Sequence, residues 1–289
     1  MDKRVQFDFD VQFSNGGGIQ GQDFRLDIPG DDISDDELGR YIVRDMRLLM
    51  VGRVRILRKQ IIAEPHKRPS ASGLIDLSHE IYDGLVTYKG LPAPIICDYL
   101  SREESRKHYA PGTEFQIGKI EMIANTGTYI DCPFTRYTDG KDLSQVELPA
   151  FADLEAVLIR QDYRKDLAVT GAAFKDLDVA GKAVLVHTGW AERWATDAYF
   201  ELHPFLTEDA AIFLRDHGAR LVGIDSINID DIRTGARPVH STLLQEEILI
   251  VEHLCHLESL PERGFTFSAI PPKFKGVGTF PVRAFASLN

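Results

Sequence analysis

Four polar residues in two distant parts of the chain have the side-chain chemistry of an acid–base or metal site. Tyr129 and Asp131 stand two positions apart in an alternating stretch, so on a strand they would face the same side. Glu252 directly follows the apolar run 248–251, where a carboxylate is costly unless it is paired or bound to a metal. Phenol, carboxylate and imidazole groups can move protons and hold an oxyanion. These residues are therefore candidates for acid–base or metal chemistry: Tyr129, Asp131, His240 and Glu252.

Six further residues are candidate substrate contacts, because they flank these positions or end a strand-like stretch. They are His79, Asn125, Thr128, Phe134, Thr135 and Trp190. A histidine at a strand end suits a substrate contact, and it is about equally well explained as a structural residue. Phe134 and Trp190, with Trp194 and Phe274, offer an aromatic wall, although aromatic residues more often belong to a core. The Thr-Gly-Thr turn before Tyr129 can equally serve to shape a loop.

The elements that must position these residues are predicted from the spacing of apolar side chains. From Gly73 onward, short β-rich segments alternate with a few helices. Compact apolar runs at 157–159, 183–186 and 221–224 indicate buried strands. The stretch 207–218 has the start and stop signals of a helix. These patterns predict a mixed α/β domain.

Two polar stretches near the candidate group are interpreted as structural. The aspartate-rich loop 225–231 lacks the spacing of an EF-hand, so its side chains are expected to bond their own backbone. His253 and His256 follow Glu252 closely and are expected on the surface side.

The beginning of the chain predicts a small unit of its own. Apolar residues alternate from 5 to 13 and again from 24 to 28, which indicates two strands. Ser34, followed three residues later by Glu37, forms a capping box that starts a helix. The stretch 51–61 then indicates a third strand, so the order is ββαβ.

A polar stretch with prolines and a glycine at 64–73 indicates a linker after this unit. We therefore predict two domains, residues 1–69 and residues 70–289. The first contains no cluster of residues suited to catalysis, and its expected role is structural, as an oligomer contact or a flap over the site of a neighbouring subunit.

The composition excludes several classes of function. A net charge of −11, from 33 basic and 44 acidic residues, disfavours a nucleic-acid partner. The sequence has neither a signal-peptide core nor an apolar run that could span a membrane. The three cysteines are far apart and odd in number, so they form no disulfide framework. These features predict a cytoplasmic protein that binds a small-molecule substrate rather than nucleic acid or membrane.

Several pieces of the chain, in this order, resemble the cyclase family of metal-dependent hydrolases, which includes bacterial kynurenine formamidases and isatin hydrolases. The resemblance covers roughly residues 73–289. The matching pieces are 76–79 (Asp-Leu-Ser-His), 127–133 (Gly-Thr-x-x-Asp-x-Pro), 181–190, 222–225, 240–244, 250–252 and 281–284. It implies an α/β fold, a mixed swivelling β/β/α domain with a β-barrel-like core. It also implies a homodimer or homotetramer.

The family's metal motif, His-x-Gly-Thr-His-x-Asp-x-Pro-x-His with a later His and Glu, is altered here. Asn125, Tyr129 and Thr135 stand where the family has histidines. Amide, phenol and hydroxyl groups are weak ligands for zinc or manganese, which disfavours a two-ion site. The resemblance leaves one weakly held Zn or Mn ion, or none, on the remaining ligands: Asp131, His240 and Glu252.

Three functions stay open at this point. The resemblance favours a hydrolase of C–N bonds other than peptide bonds, acting on a small amide, lactam or other carbonyl compound. The second is a metal-free cyclase, dehydratase or isomerase, in which His240, oriented by Glu252, is the base and Tyr129 donates a proton. The third is a relative that binds a small molecule without turning it over.

Overall fold

The structure, a computed structural model, describes residues 3–28, 32–46, 48–63 and 73–288. The chain divides into two compact units, residues 1–71 and 72–289. The domain boundary predicted between residues 69 and 70 lies in the stretch 64–72, which is outside the described residues.

The first unit is a three-stranded antiparallel sheet with a helix packed on it. Its elements are β1 (Lys3–Phe13), β2 (Gly18–Asp27), α1 (Asp35–Asp45) and β3 (Val51–Ala63), and the strand order is β2-β1-β3. Alternate apolar residues of β1, from Val5 to Val11, join Leu38 and Ile42 of α1 in one core. The Ser34 hydroxyl accepts a hydrogen bond from the Glu37 N–H at 3.3 Å. The predicted ββαβ order and its capping box are therefore confirmed.

The second unit contains thirteen strands and three helices in its described residues. They are β4 (Leu74–Asp76), β5 (Ile95–Leu100), α2 (Arg102–Ser105), β6 (Ile117–Glu121), β7 (Tyr129–Asp131), β8 (Leu154–Arg160), β9 (Ala168–Val169), β10 (Ala183–His187), β11 (Phe205–Leu206), α3 (Glu208–Asp216), β12 (Leu221–Ile224), α4 (Pro238–Gln245), β13 (Leu249–Glu252), β14 (Phe265–Ser268), β15 (Thr279–Pro281) and β16 (Phe285–Leu288). Throughout the described part of the chain, no helix has the length and apolar character needed to cross a membrane.

Nine of these strands form one mixed sheet, which curls into a half-barrel. The order is β15-β7-β13-β12-β10-β8-β14-β16-β4. The four central strands, β13, β12, β10 and β8, are parallel, and the strands on both sides of them are antiparallel. The predicted mixed α/β fold with a barrel-like core is confirmed. Because parallel strands end at one edge of a sheet, the residues that follow them are brought close together there.

The central strands are buried on both faces. Val184 and Ile250 belong to the core that includes α3 and α4, whereas Leu185 and Val251 belong to the core that includes β14 and β16. A strand covered on both sides needs apolar residues at every position. This explains why the compact apolar runs of the sequence became these strands.

The hairpin of β5 and β6 forms a sheet of its own. All residues of both strands are exposed except Leu100, which is half-buried. Large apolar side chains are among them, with Tyr99 at 77% and Ile120 at 62% exposure. A two-stranded ribbon is marginally stable by itself, so this hairpin lacks the packing that such elements normally need.

Candidate active site

Two strand pairings bring the candidate residues of β7 to their partners. β7 pairs antiparallel with β13, so that Tyr129 lies opposite Glu252. On its other side, β7 pairs with β15, so that Asp131 lies opposite Thr279. All four side chains are buried. The registers of β13 and β15 against β7 therefore join parts of the chain that are far apart in sequence.

His240 reaches the same place from helix α4. Its Nε2 atom lies 3.7 Å from Asp131 Oδ2 and 3.6 Å from Glu252 Oε1. The imidazole side chain keeps 12% of its surface exposed, whereas the two carboxylates keep 2% and 0%. The structure thus brings Asp131, His240 and Glu252 together, and a ligand would approach them from the His240 side.

Both carboxylate oxygens of Glu252 have hydrogen-bond donors. The Tyr129 hydroxyl donates to Oε2 at 2.5 Å, and the Ile229 N–H donates to Oε1 at 2.6 Å. Burial raises the pKa of Glu252 to about 7, since it outweighs the His240 charge and these hydrogen bonds, which favour the ionised form. Burial and the Glu252 charge raise the pKa of Tyr129 well above its usual value, so the phenol keeps its proton.

Asp230, rather than Glu252, orients the His240 ring. Asp230 Oδ2 accepts from His240 Nδ1 at 2.6 Å and from the His240 backbone N–H at 3.0 Å. An ionised carboxylate only accepts, so Nδ1 is the donor and Nε2 faces the other two carboxylates. Burial works against a charged imidazole, but the neighbouring carboxylates, Asp131 and Asp230 foremost, outweigh it and raise the pKa of His240 to about 10.

Two threonines hold one oxygen of Asp131. The Thr279 hydroxyl donates to Oδ1, and the Thr135 hydroxyl donates to the same atom at 3.2 Å. The two hydroxyl oxygens are 3.0 Å apart. Thr135, predicted as a substrate contact, therefore bonds a candidate ligand residue and leaves Asp131 Oδ2 directed at His240.

The three converging atoms have the spacing of ligands on one metal ion. Two ligands on a tetrahedral zinc ion, each at about 2.1 Å, are about 3.4 Å apart, close to the observed distances of 3.6 and 3.7 Å from His240 Nε2. One imidazole and two carboxylates suit zinc or manganese, and three protein ligands leave a position open for substrate. Among the described residues this is the one cluster of three or more potential metal ligands. The Tyr129 hydroxyl adds no fourth ligand here, because it is bonded to Glu252. These residues fit one ion rather than two.

An aromatic cluster lies beside Tyr129. The His253 ring centroid is 5.2 Å from that of Tyr129 and 5.5 Å from that of Trp194. His79 stacks on Trp194, with centroids 3.9 Å apart. The Nε2 atoms of His79 and His253 are buried and have no hydrogen-bond partner within the described structure. Burial lowers the pKa of His79 to about 4 and that of His253 well below its usual value, so both rings are neutral at pH 7.

His253 is fully buried, and the expectation that it lies on the surface was wrong. It directly follows β13, which is buried on both faces, and its backbone is left-handed, with φ of 57°. The ring Nδ1 lies 2.8 Å from the Tyr199 hydroxyl, and the carbonyl accepts from the Thr128 hydroxyl at 2.6 Å. Thr128 also accepts from the His79 N–H at 3.0 Å, so this predicted contact residue links two histidines. His256 is exposed, as expected.

The other predicted contact residues have different surroundings. Asn125 is half-buried in the bend before the Thr-Gly-Thr turn. Phe134 packs against the core of the large sheet. Trp190 is 1% exposed, and its indole N–H donates to the Tyr199 carbonyl at 3.1 Å. Phe134 and Trp190 therefore serve apolar packing rather than the group around His240.

The sequence analysis assigned no role in the site to Asp230, Thr279 or Tyr88. The Tyr88 hydroxyl donates to the Ile227 carbonyl at 2.5 Å and accepts from the Asn228 amide at 2.9 Å. The several aspartates of the loop 225–231 could have indicated a role in the site, but their side chains were expected to bond the backbone of the loop itself. That interpretation describes Asp231, which accepts from the Arg233 N–H. It fails for Asp225, which bonds Thr188 and Gly189, and for Asp230, which bonds helix α4.

Residues 75–231 match the model of the Cyclase family. The kynurenine formamidase of Geobacillus thermodenitrificans is 28% identical over 181 residues, which are 62% of this chain and 84% of that protein. The kynurenine formamidase of Bacillus anthracis is 24% identical over 212 residues, 73% of this chain and 95% of that protein.

Solved structures share the architecture of the second unit. A potential metal-dependent hydrolase with cyclase activity is 26% identical, with a TM-score of 0.61 and coverage of 74% of this chain and 96% of that chain. Isatin hydrolase A from Ralstonia solanacearum is 21% identical, with a TM-score of 0.64 and coverage of 75% of this chain and 92% of that chain. At that lower identity the likeness concerns the fold alone.

Proposed function

Because the chain belongs to the Cyclase family, we propose that it is a hydrolase that opens a C–N bond of a small amide, formamide or lactam. The observation that carries this proposal is the convergence of Asp131, His240 and Glu252, whose ligand atoms lie within 4.8 Å of one another. Similarity to kynurenine formamidases and to a potential metal-dependent hydrolase supports the reaction class. The altered motif argues for a single, weakly held zinc or manganese ion.

Hydrolysis joins the water oxygen to the carbonyl carbon, breaks the C–N bond and moves one water proton to the leaving nitrogen. A divalent ion, when bound, supplies Lewis acidity and lowers the pKa of water towards neutrality. Tyr129 and Ile229 hold the Glu252 carboxylate in place by donating to its two oxygens. The exposed side of His240 is where substrate would meet the group, and burial of the carboxylates excludes bulk water from them.

A metal-free acid–base enzyme, a cyclase, dehydratase or isomerase, is the second candidate. It is favoured by the position of His240 Nε2 between two carboxylate oxygens and by the 2.5 Å bond from Tyr129 to Glu252. In the absence of an ion, the lone pairs of these atoms would repel one another unless the group holds a proton. A group that holds a proton can deliver it to a substrate.

We expect protein purified without chelator to contain up to one zinc or manganese ion per chain and to hydrolyse members of a panel of aryl formamides, lactams and cyclic imides. Dialysis against a chelator should lower the rate at least about tenfold, and added ion should restore it. Elemental analysis and the rates before and after dialysis check this. An unchanged rate after complete ion removal would favour the metal-free enzyme, and ligand binding without turnover would favour a binding protein.

We also propose that the chain forms a homo-oligomer, a dimer or tetramer, in which a second copy covers the β5–β6 hairpin. The exposed apolar side chains of this hairpin support the proposal, because monomers rarely expose large contiguous apolar patches. Ile120→Lys should lower the mass measured by light scattering after gel filtration. Leu148→Lys is the matched control, since Leu148 is equally exposed at 62% but lies outside the hairpin. The same mass for wild type and Ile120→Lys would contradict the proposal.

A further inference from the structure

We propose that Asp230 is a positioning residue that aims His240 at the other two ligand residues. Asp230 is fully buried and its two oxygens accept three hydrogen bonds. Oδ1 accepts from the Val239 N–H at 2.8 Å, and Oδ2 accepts from the backbone N–H and the ring Nδ1 of His240. One carboxylate thus caps the start of helix α4 and fixes the ring that the helix carries.

The loop that carries Asp230 also holds the opposite side of the group. The neighbouring Ile229 N–H donates to Glu252 Oε1 at 2.6 Å. Two consecutive residues therefore set the positions of Glu252 Oε1 and His240 Nε2, which are 3.6 Å apart. Partners of this kind, which bond a ligand's second nitrogen, fix its tautomer and orientation.

Asp225 lies five positions earlier in the same loop and provides a comparison, because its hydrogen bonds involve none of the candidate ligand residues. It is equally buried, and it accepts from the Thr188 N–H and hydroxyl at 2.8 and 2.6 Å and from the Gly189 N–H at 2.8 Å. It bonds a turn rather than a ligand residue. Asp225 therefore provides a matched control for the loss of a buried carboxylate.

Asparagine cannot replace Asp230 without a conflict. Its amide has one oxygen, so it cannot accept all three bonds, and its NH2 group faces an N–H donor in either orientation. With the NH2 beside His240, the ring must accept at Nδ1 and carry its proton on Nε2, which removes the lone pair that would bind an ion. With the NH2 beside Val239, the oxygen can still accept from the ring, but two donors then face each other and displace the start of the helix that carries the ring.

Asp230→Asn and Asp225→Asn should separate a positioning role from a structural one. We expect Asp230→Asn to weaken zinc or manganese binding, measured by calorimetry, about 10- to 100-fold, and to lower kcat with KM within about threefold. Asp225→Asn should lower the melting temperature comparably but leave ion affinity within about twofold. Equal ion affinity and kcat in Asp230→Asn and wild type would overturn the proposal.

A nuclear magnetic resonance measurement on His240 makes the test independent of ion binding. Wild type should show a slowly exchanging proton on His240 Nδ1 with or without an ion. Asp230→Ala, which has no side-chain acceptor, should lose it, and Asp225→Asn should keep it. Absence of that proton in wild type would refute the positioning role. The ion-based part of the argument rests on the proposed hydrolase. If wild type binds no ion but shows this proton, the positioning role stands and the ion of the proposed function does not.

Discussion

Replacement of His240 with alanine is expected to lower kcat/KM for amide hydrolysis by about a thousandfold or more. His240 supplies the one nitrogen ligand, and its Nε2 lies 3.6–3.7 Å from the oxygens of Asp131 and Glu252. Without the imidazole, two buried carboxylates face each other with no positive group between them, which is costly at low local dielectric. Steady-state kinetics and ion content of the purified variant provide the measurement.

The control for this prediction is His217→Ala. His217 is exposed at the end of helix α3, and its ring bonds the Phe213 carbonyl. The structure records no contact between His217 and the four candidate catalytic residues. We expect its removal to leave kcat/KM unchanged within about twofold. His240→Gln tests the same point with less lost volume, because glutamine fills part of the space. A His240 variant that folds and keeps wild-type activity and ion content would rule out both proposed mechanisms at this site.

Tyr129→Phe is expected to lower kcat about 10- to 100-fold. The change removes the hydroxyl that donates to Glu252 Oε2 and keeps the ring, which is buried. A hydrogen bond to a buried charged group contributes about 1.5–3 kcal/mol, which corresponds to about 10- to 150-fold. A loss of about a thousandfold or more would instead indicate that Tyr129 itself delivers a proton, as in the metal-free enzyme.

Tyr163→Phe is the matched control for the Tyr129 variant. Tyr163 is also a buried tyrosine whose hydroxyl donates to a glutamate, Glu192, but its partners include none of the four candidate catalytic residues. It should cost some stability and leave kcat within about twofold. Similar kcat values for Tyr129→Phe and wild type would mean that the Tyr129–Glu252 bond has no part in turnover.

Much of the first unit was predictable because its signals are local. The alternation from Val5 to Phe13 and the capping box at Ser34 depend on neighbours within a few positions, and both occur in the structure. The buried parallel strands, such as β10, were predictable for a similar reason. A strand covered on both faces must be apolar throughout, and the sequence displays this directly.

Part of the candidate site also followed from short-range rules. Period-two geometry predicted that Tyr129 and Asp131 face the same side, and the cost of a buried carboxylate drew attention to Glu252. These rules gave no partner for Asp131, and the residue expected to orient His240 was Glu252 rather than Asp230. Thr279 contacts Asp131 because of the register of β15 against β7. Asp230 contacts His240 because helix α4 begins beside the loop that carries Asp230.

The resemblance of motifs in order was enough to recognise the family and the α/β fold, and it named three residues that converge in the structure: Asp131, His240 and Glu252. The folded chain was needed to show that Asp230 orients His240, that Tyr129 bonds Glu252, and that His253 is buried. These features depend on the position of helix α4 beside the loop that carries Asp230, on the register of β7 against β13 and on the course of the chain after β13. Such features arise from packing over the whole domain, and no local pattern of residue types encodes them.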